Sequence, residues 1–244
     1  MKHFRTLLGL SVLIISLICL SACSSDDDIE TKTLTFHFEA QALEESLIFE
    51  AKKYLTPSNQ TMTFERIKIY LSNIQLKDKN TNEVYFELDS YHLISFDQDN
   101  ATASFTVEGV PAAYVISEIG FHIGVNSEAN TSIDHLGDLD PTNGMAWDWN
   151  TGYKFLLLEG RYFSTNNPIG EEIKMHIGTD KNYFSYDWSP DQPIAMSQDQ
   201  EISFIVDGFA PLGTIDFSEG TVFMNDERGD EVAQNYKMGL IQPK

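Results

Sequence analysis

Cysteine is almost missing from this chain. Only Cys19 and Cys23 occur, both within the first 23 residues. The rest therefore has no material for an intrachain disulfide, a thiolate zinc site or a cysteine nucleophile. Basic residues are scarce as well: 16 Lys and Arg stand against 37 Asp and Glu, a net charge of −21 at neutral pH. Such a balance repels nucleic acid and anionic lipid head groups and attracts cations. It is also what simple solubility demands of an exported surface, and it says nothing about fold. Long amphipathic helical periodicity is missing too. So are nucleophile elbows, phosphate-cradling glycine loops and the paired histidines of metalloproteases. No catalytic motif supports an enzyme, and none is expected here.

What is present begins with a leader. Lys2, His3 and Arg5 precede an apolar run over residues 7–20, of signal-peptide length and short for a membrane span. Leu20-Ser21-Ala22-Cys23 resembles a bacterial lipobox, with cleavage before Cys23 and lipid attached to it. The rival is an ordinary signal peptide cut nearby, leaving Cys23 as a thiol. The expected organisation is a signal peptide over 1–22, a lipidated Cys23 with an acidic tether over 23–33, and one domain over 34–244. The expected location is the cell envelope, as an outer-membrane lipoprotein anchored through Cys23. The 222 residues left after cleavage suffice for one sizeable core and carry 14 basic against 37 acidic residues, a net charge of −23.

Short alternating segments fill the rest. Leu34, Phe36, Phe38 and Ala40 share one face of a first strand, opposite His37. Residues 41–55 fit either helical spacing or an extended chain ending at Tyr54. Ile67, Ile69 and Leu71 point inward from the next strand, with Lys68, Tyr70 and Ser72 outward. Residues 84–96 hold one or two strands, and 103–107, 114–125, 173–177 and 201–206 one each. Residues 139–160 form the organising stretch. A turn, Asp140-Pro141-Thr142-Asn143-Gly144, leads to Trp147 and Trp149, then to a strand from Tyr153 to Leu158 that is apolar on nearly both sides. Such a strand belongs in the middle of a sheet packed on two faces. Residues 230–238 suit a short closing helix. Strands of this length between turns predict an all-β fold: a single antiparallel β-sandwich with a short C-terminal helix.

Two ligand chemistries are open. Asp138, Asp140, Thr142 and Gly144 look faintly like a calcium loop, but Pro141 stiffens it, its glycine is one position late and no Glu closes it. Imidazole suits copper in an oxidising compartment without thiolates. Beyond the leader the histidines are His37, His92, His122, His135 and His176. His37, His122 and His176 lie opposite the large apolar residues of their strands, which fits a site on a sheet surface and equally plain exposure.

Several segments in order, Ile69-Tyr70-Leu71-Ser72-Asn73-Ile74, Tyr91-His92-Leu93-Ile94, Phe121-His122-Ile123-Gly124, Leu139-Asp140-Pro141, Trp147-Asp148-Trp149-Asn150-Thr151-Gly152-Tyr153-Lys154-Phe155, Leu158-Glu159-Gly160 and His176-Ile177-Gly178, resemble the MbnP-like family. These are methanobactin-associated copper-binding proteins with lipoprotein relatives in Bacteroidetes. The Trp-x-Trp-x-x-Gly-Tyr-x-Phe core is the most specific part. The resemblance implies an exported β-sandwich that binds copper through histidines. In some members a tryptophan is oxidised to kynurenine by a dihaem partner enzyme. By resemblance the copper ligands are His176 and, more loosely, His92; strand direction adds His37. The implied role is holding or delivering copper outside the cytoplasm. The alternative is a surface lipoprotein without metal, binding a protein or glycan through loop aromatics between Tyr183 and Trp188.

Overall fold

A computed structural model describes residues 29–147 and 152–244. The leader, Cys23 and most of the tether lie outside these residues, as do Asp148 and Trp149. The strands in chain order are β1 (Thr31–Ala42), β2 (Glu45–Ser46), β3 (Tyr54–Leu55), β4 (Thr61–Asp78), β5 (Val84–Asp97), β6 (Thr102–Pro111) and β7 (Val115–Ile123). After a long excursion come β8 (Lys154–Ser164), β9 (Asn167–Gly178), β10 (Phe184–Trp188), β11 (Ile194–Ala195), β12 (Gln200–Asp207), β13 (Val222–Phe223), helix α1 (Glu227–Lys237) and β14 (Ile241–Pro243). Among the described residues no helix is long and apolar enough to cross a membrane.

The strands form two sheets, five-stranded around β1 and nine-stranded around β4. Their facing sides bury one apolar cluster. Leu34, Phe36, Phe38, Phe204 and Val206 come from the small sheet; Phe64, Ile67, Ile69, Leu71, Phe121 and Met175 come from the large one. Phe204 bridges the layers, edge-on to Phe121 at 6.1 Å and to Trp188 at 5.3 Å. This is the expected sandwich. Its sheets are mixed, because β12 runs parallel to β1 and β13 parallel to β9. Alternation reports which face a residue takes and carries no sign for strand direction. Residues 41–55 are extended around two tight turns, and α1 closes the chain. Asp226 caps α1 by accepting from the Gly229 N–H, and Val232, Ala233 and Tyr236 enter the core.

The large sheet has a break that sets where its cover lies. β5 lies along one edge of β4 over residues 66–77, so β8 and β7 share the other edge, beside residues 61–69 and 71–78 respectively. β7 and β8 therefore continue one line, interrupted between Ile123 and Lys154. The neighbouring line breaks at the same level: Gly178 at the end of β9 faces Lys154, and Phe184 at the start of β10 faces Ile123. Residues 124–147 leave at this break and cover the outer face of the sheet. Under them sits a second apolar cluster: Tyr70, Val125, Leu139, Met145, Ala146, Tyr153, Phe155 and Leu157. Hence β8 is apolar on both faces, with Leu156 and Leu158 in the inner cluster and Phe155 and Leu157 in the outer one. Tyr70 and Ser72, expected to face solvent, are fully buried beneath this cover.

The cover is docked through its own carbonyls. Its short 3-10 turns leave C=O groups without internal partners, and sheet side chains supply the donors. Tyr70 Oη donates to Asp138 O at 2.7 Å and Tyr153 Oη to Leu139 O at 2.8 Å. Lys68 Nζ reaches Asn143 O at 2.8 Å, and Lys154 Nζ reaches Gly144 O and Ala146 O, both at 3.0 Å. Trp147 is buried, its indole N–H donating to Tyr153 O at 3.1 Å.

Candidate functional site

His176 is placed by the alternation of β9. Met175 and Ile177 point into the sandwich, so His176 faces outward, opposite Leu157 of β8. Glu159, two residues along β8 on the same face, accepts from His176 Nε2 at 2.8 Å. A carboxylate only accepts, so Nε2 carries a proton, and in the neutral ring the lone pair is then on Nδ1. Nδ1 makes no hydrogen bond among the described residues. Arg66 Nη2 holds the other oxygen of Glu159 at 2.9 Å. The pair is largely enclosed, with side-chain exposures of 12% for His176 and 17% for Glu159. The His176 hydrogen bond, helped by Arg66, keeps the Glu159 carboxyl below the usual range against the opposing effect of burial.

His92 forms a second imidazole–carboxylate pair, at 2.8 Å between Nε2 and Glu87 Oε2. Five residues apart in a regular strand, these two side chains would take opposite faces. A register shift between Ser72 and Ile74, with Asn73 and Asp89 at φ 54° and 55°, brings them to one face. That face is the inner one: His92 stands opposite Leu71 and stacks on Phe105 of β6, ring centres 3.8 Å apart and 5° from parallel. His37 sits on the outer face of the small sheet, between Ser104 and Ser203. Its Nε2 lies 3.5 Å from Glu201, without a hydrogen bond.

The three histidines expected as copper ligands thus occupy three different surfaces: His176 outside the large sheet, His92 between the sheets and His37 outside the small one. Ligand nitrogens must lie about 2 Å from one ion, and residues on opposite faces of a sheet cannot meet that condition. Among the described residues no three His, Cys, Asp or Glu side chains gather as a metal cage. As a three-histidine centre the set does not fit. His176 alone has the form of an oriented ligand, an imidazole whose tautomer is fixed by a carboxylate behind it.

The calcium-like segment is committed to structure. Asp138 Oδ2 accepts from Leu93 N at 2.7 Å, and Asp140 Oδ1 accepts from Thr142 N at 2.8 Å to cap a 3-10 turn. The loop aromatics are also spent. Tyr186 stacks on Phe121 at 4.6 Å, Trp188 meets Phe204, Phe184 is buried, and Tyr183 stacks on His122 at 4.6 Å. They form no exposed contact patch.

His122 is the third outward-facing histidine of the strands. It lies outside the large sheet, opposite Ser72, with Nδ1 enclosed and unpartnered. Burial holds it below the usual imidazole range, with Asp187 pulling the other way. In the sequence Phe121-His122-Ile123-Gly124 echoes Met175-His176-Ile177-Gly178. The structural meaning of the echo lies in the glycines. Both end a strand at the sheet break: a Cβ at Gly124 would meet the Phe155 ring at 2.5 Å, and one at Gly178 would collide with Tyr153 O.

A family model for MbnP matches residues 31–226, from the first residue of β1 to the cap of α1. Among curated proteins nothing matches. Of solved structures, MbnP from Methylosinus trichosporium superposes with a TM-score of 0.57 at 13% identity, over 82% of this chain and 83% of that one. At that identity the likeness speaks for the shared fold. With the family model spanning both sheets and the covered outer face, the chain belongs to the MbnP family.

Proposed function

We propose that this MbnP-family chain is an exported lipoprotein, anchored through Cys23, that holds or delivers copper outside the cytoplasm, with His176 as its imidazole ligand. The observation that carries the reading is the Arg66–Glu159–His176 chain. It keeps Nε2 protonated and leaves Nδ1, the copper-binding lone pair, without a hydrogen bond among the described residues. Copper is the ion the family resemblance implies, and an acidic protein with no thiolate beyond its anchor suits a cation cargo. His92 has structural work, stacked on Phe105 and hydrogen-bonded to Glu87, and His37 lies on the outer face of the small sheet, away from His176. The aromatic-patch alternative loses its premise, because those rings pack against the protein.

The test is copper retention. The protein from Ser24 onward keeps every described residue. It is loaded with Cu(I) or Cu(II), dialysed, and its copper counted beside His176→Ala, His92→Ala and His37→Ala. The expectation is copper lost in His176→Ala alone. Copper absent from all four, or lost only with His92 or His37, would end the reading. In cells, Cys23→Ser in the full chain should move the protein out of the membrane fraction; a variant still at the membrane would refute the anchor.

A further inference from the structure

β13 brings one further side chain up to His176. Lys174 N donates to Thr221 O at 2.9 Å, Val222 and Phe223 stand opposite Lys174 and Met175 in parallel register, and Gly178 N donates to Asn225 Oδ1 at 2.9 Å. Met224, the residue between these contacts, therefore runs beside His176. Its face follows from alternation. Phe223 and Met175 both enter the inner cluster, so Met224 and His176 both turn to the outer face. Met224 is half-buried there. Adjacent strands lie about 4.8 Å apart, and a thioether rides on three rotatable bonds. Sδ can therefore swing onto an ion held at the imidazole.

β9 lies between β8 and β13. Nε2 of His176 is spent on Glu159, on the β8 side, while β13 flanks the ring on the other. Nδ1 of His122 is enclosed in the protein; that of His176 is unbonded without being enclosed, so an ion can reach it. The remaining positions around His176 offer an ion no free donor among the described residues. Leu157, opposite it in β8, is apolar, and Gly178, two residues on, has no side chain. Lys174, two residues back, is a cation held by Glu172 at 2.9 Å. Both oxygens of Glu159 are held, one by His176 and the other by Arg66. The thioether of Met224 is what is left.

We infer that Met224 is the second copper ligand, its Sδ joining His176 Nδ1 in a two-coordinate site selective for Cu(I). The inference rests on the reading of His176 as a copper ligand given above, and it adds the oxidation state. A neutral imidazole and a neutral thioether suit a soft monovalent ion. Cu(II) seeks a square of nitrogen and oxygen donors, and among the described residues no three His, Cys, Asp or Glu side chains gather to supply one.

The test uses the protein from Ser24 onward, loaded with Cu(I) without oxygen. Affinity is read by competition with bicinchoninate, and the copper environment by X-ray absorption. The wild type should show copper–sulfur scattering. Met224→Leu, which conserves side-chain volume, should abolish that scattering and weaken Cu(I) binding by about tenfold or more, since even an outer partner of a ligand is commonly worth about 10–100-fold in metal affinity. Cu(II) retention should be the same in both. Met238→Leu, an exposed methionine at the end of α1, should change neither the scattering nor the affinity. A wild type without copper–sulfur scattering, or Met224→Leu with unchanged Cu(I) affinity, would overturn the inference while leaving His176 as a copper ligand. Unchanged Cu(I) affinity in His176→Ala would overturn both readings.

Discussion

Glu159→Gln probes the Arg66–Glu159–His176 chain directly. The substitution keeps size and shape but removes the charge that accepts from both neighbours. A hydrogen bond to a charged group contributes about 1.5–3 kcal/mol. Gln retains one acceptor oxygen for His176, and Arg66 is half exposed, so solvent screens its share. The net loss at pH 7 should be about 1–2 kcal/mol, a fall in Tm of roughly 2–8 °C for a chain of this size. The sign with pH follows from the depressed Glu159 carboxyl. Its stabilisation is fully present above the unfolded carboxylate value of about 4.3 and is lost as pH falls through the lower folded value. Urea unfolding of wild type and variant at pH 7, 5 and 3 should show a constant gap down to pH 5 that has narrowed at pH 3. Glu118→Gln, which loses only an exposed pair with Lys77, should cost under about 0.5 kcal/mol throughout. A gap as wide at pH 3 as at pH 7, or a Gln variant as stable as wild type, would refute the argument that this carboxylate is held charged by its neighbours.

Two further outcomes test the sheet break and the buried ring beside it. Gly124→Ala forces a Cβ into the Phe155 ring at φ 115°, so it should destabilise by about 2–4 kcal/mol in urea, with hydrogen exchange rising first in residues 124–147; a loss under 1 kcal/mol would contradict the close approach. His122→Phe should cost about 1 kcal/mol or less at pH 8 and flatten stability between pH 7 and 5, where wild type declines because the folded protein resists a proton that the unfolded chain accepts below about 6.5; identical pH profiles would rule out an imidazole held neutral by burial.

Much of this architecture follows from residue order alone. Alternation at Leu34 to Ala40, at Ile67 to Leu71 and at Met175 to Ile177 assigns each side chain to a face, because a strand has period two whatever it pairs with. For the same reason the outward direction of His37 and His176 was legible, and so was the central position of β8, which is apolar on both faces. The fit to the MbnP family rests on the same local signals, spread through the chain in order.

Tertiary structure decided what alternation cannot encode. Parallel pairing of β1 with β12 joins residues 166 positions apart, and no local pattern carries strand direction. The bulge opposite Asn73 inverts the expected relation of Glu87 and His92, placing both between the sheets. Three residues of β5, 88–90, stand against Asn73 alone, and an irregularity of this kind resets which face the following residues take. Tyr70 and Ser72 read as outward and are outward, yet they are buried, because a distant segment folds over them and docks by its carbonyls. The histidines show the division most plainly. Alternation assigns His37 and His176 to a face of their own strands, whereas only the tertiary structure shows which way His92 points past the bulge, that the three histidines look onto three separate surfaces, and that the partner of His176 is a glutamate seventeen residues upstream.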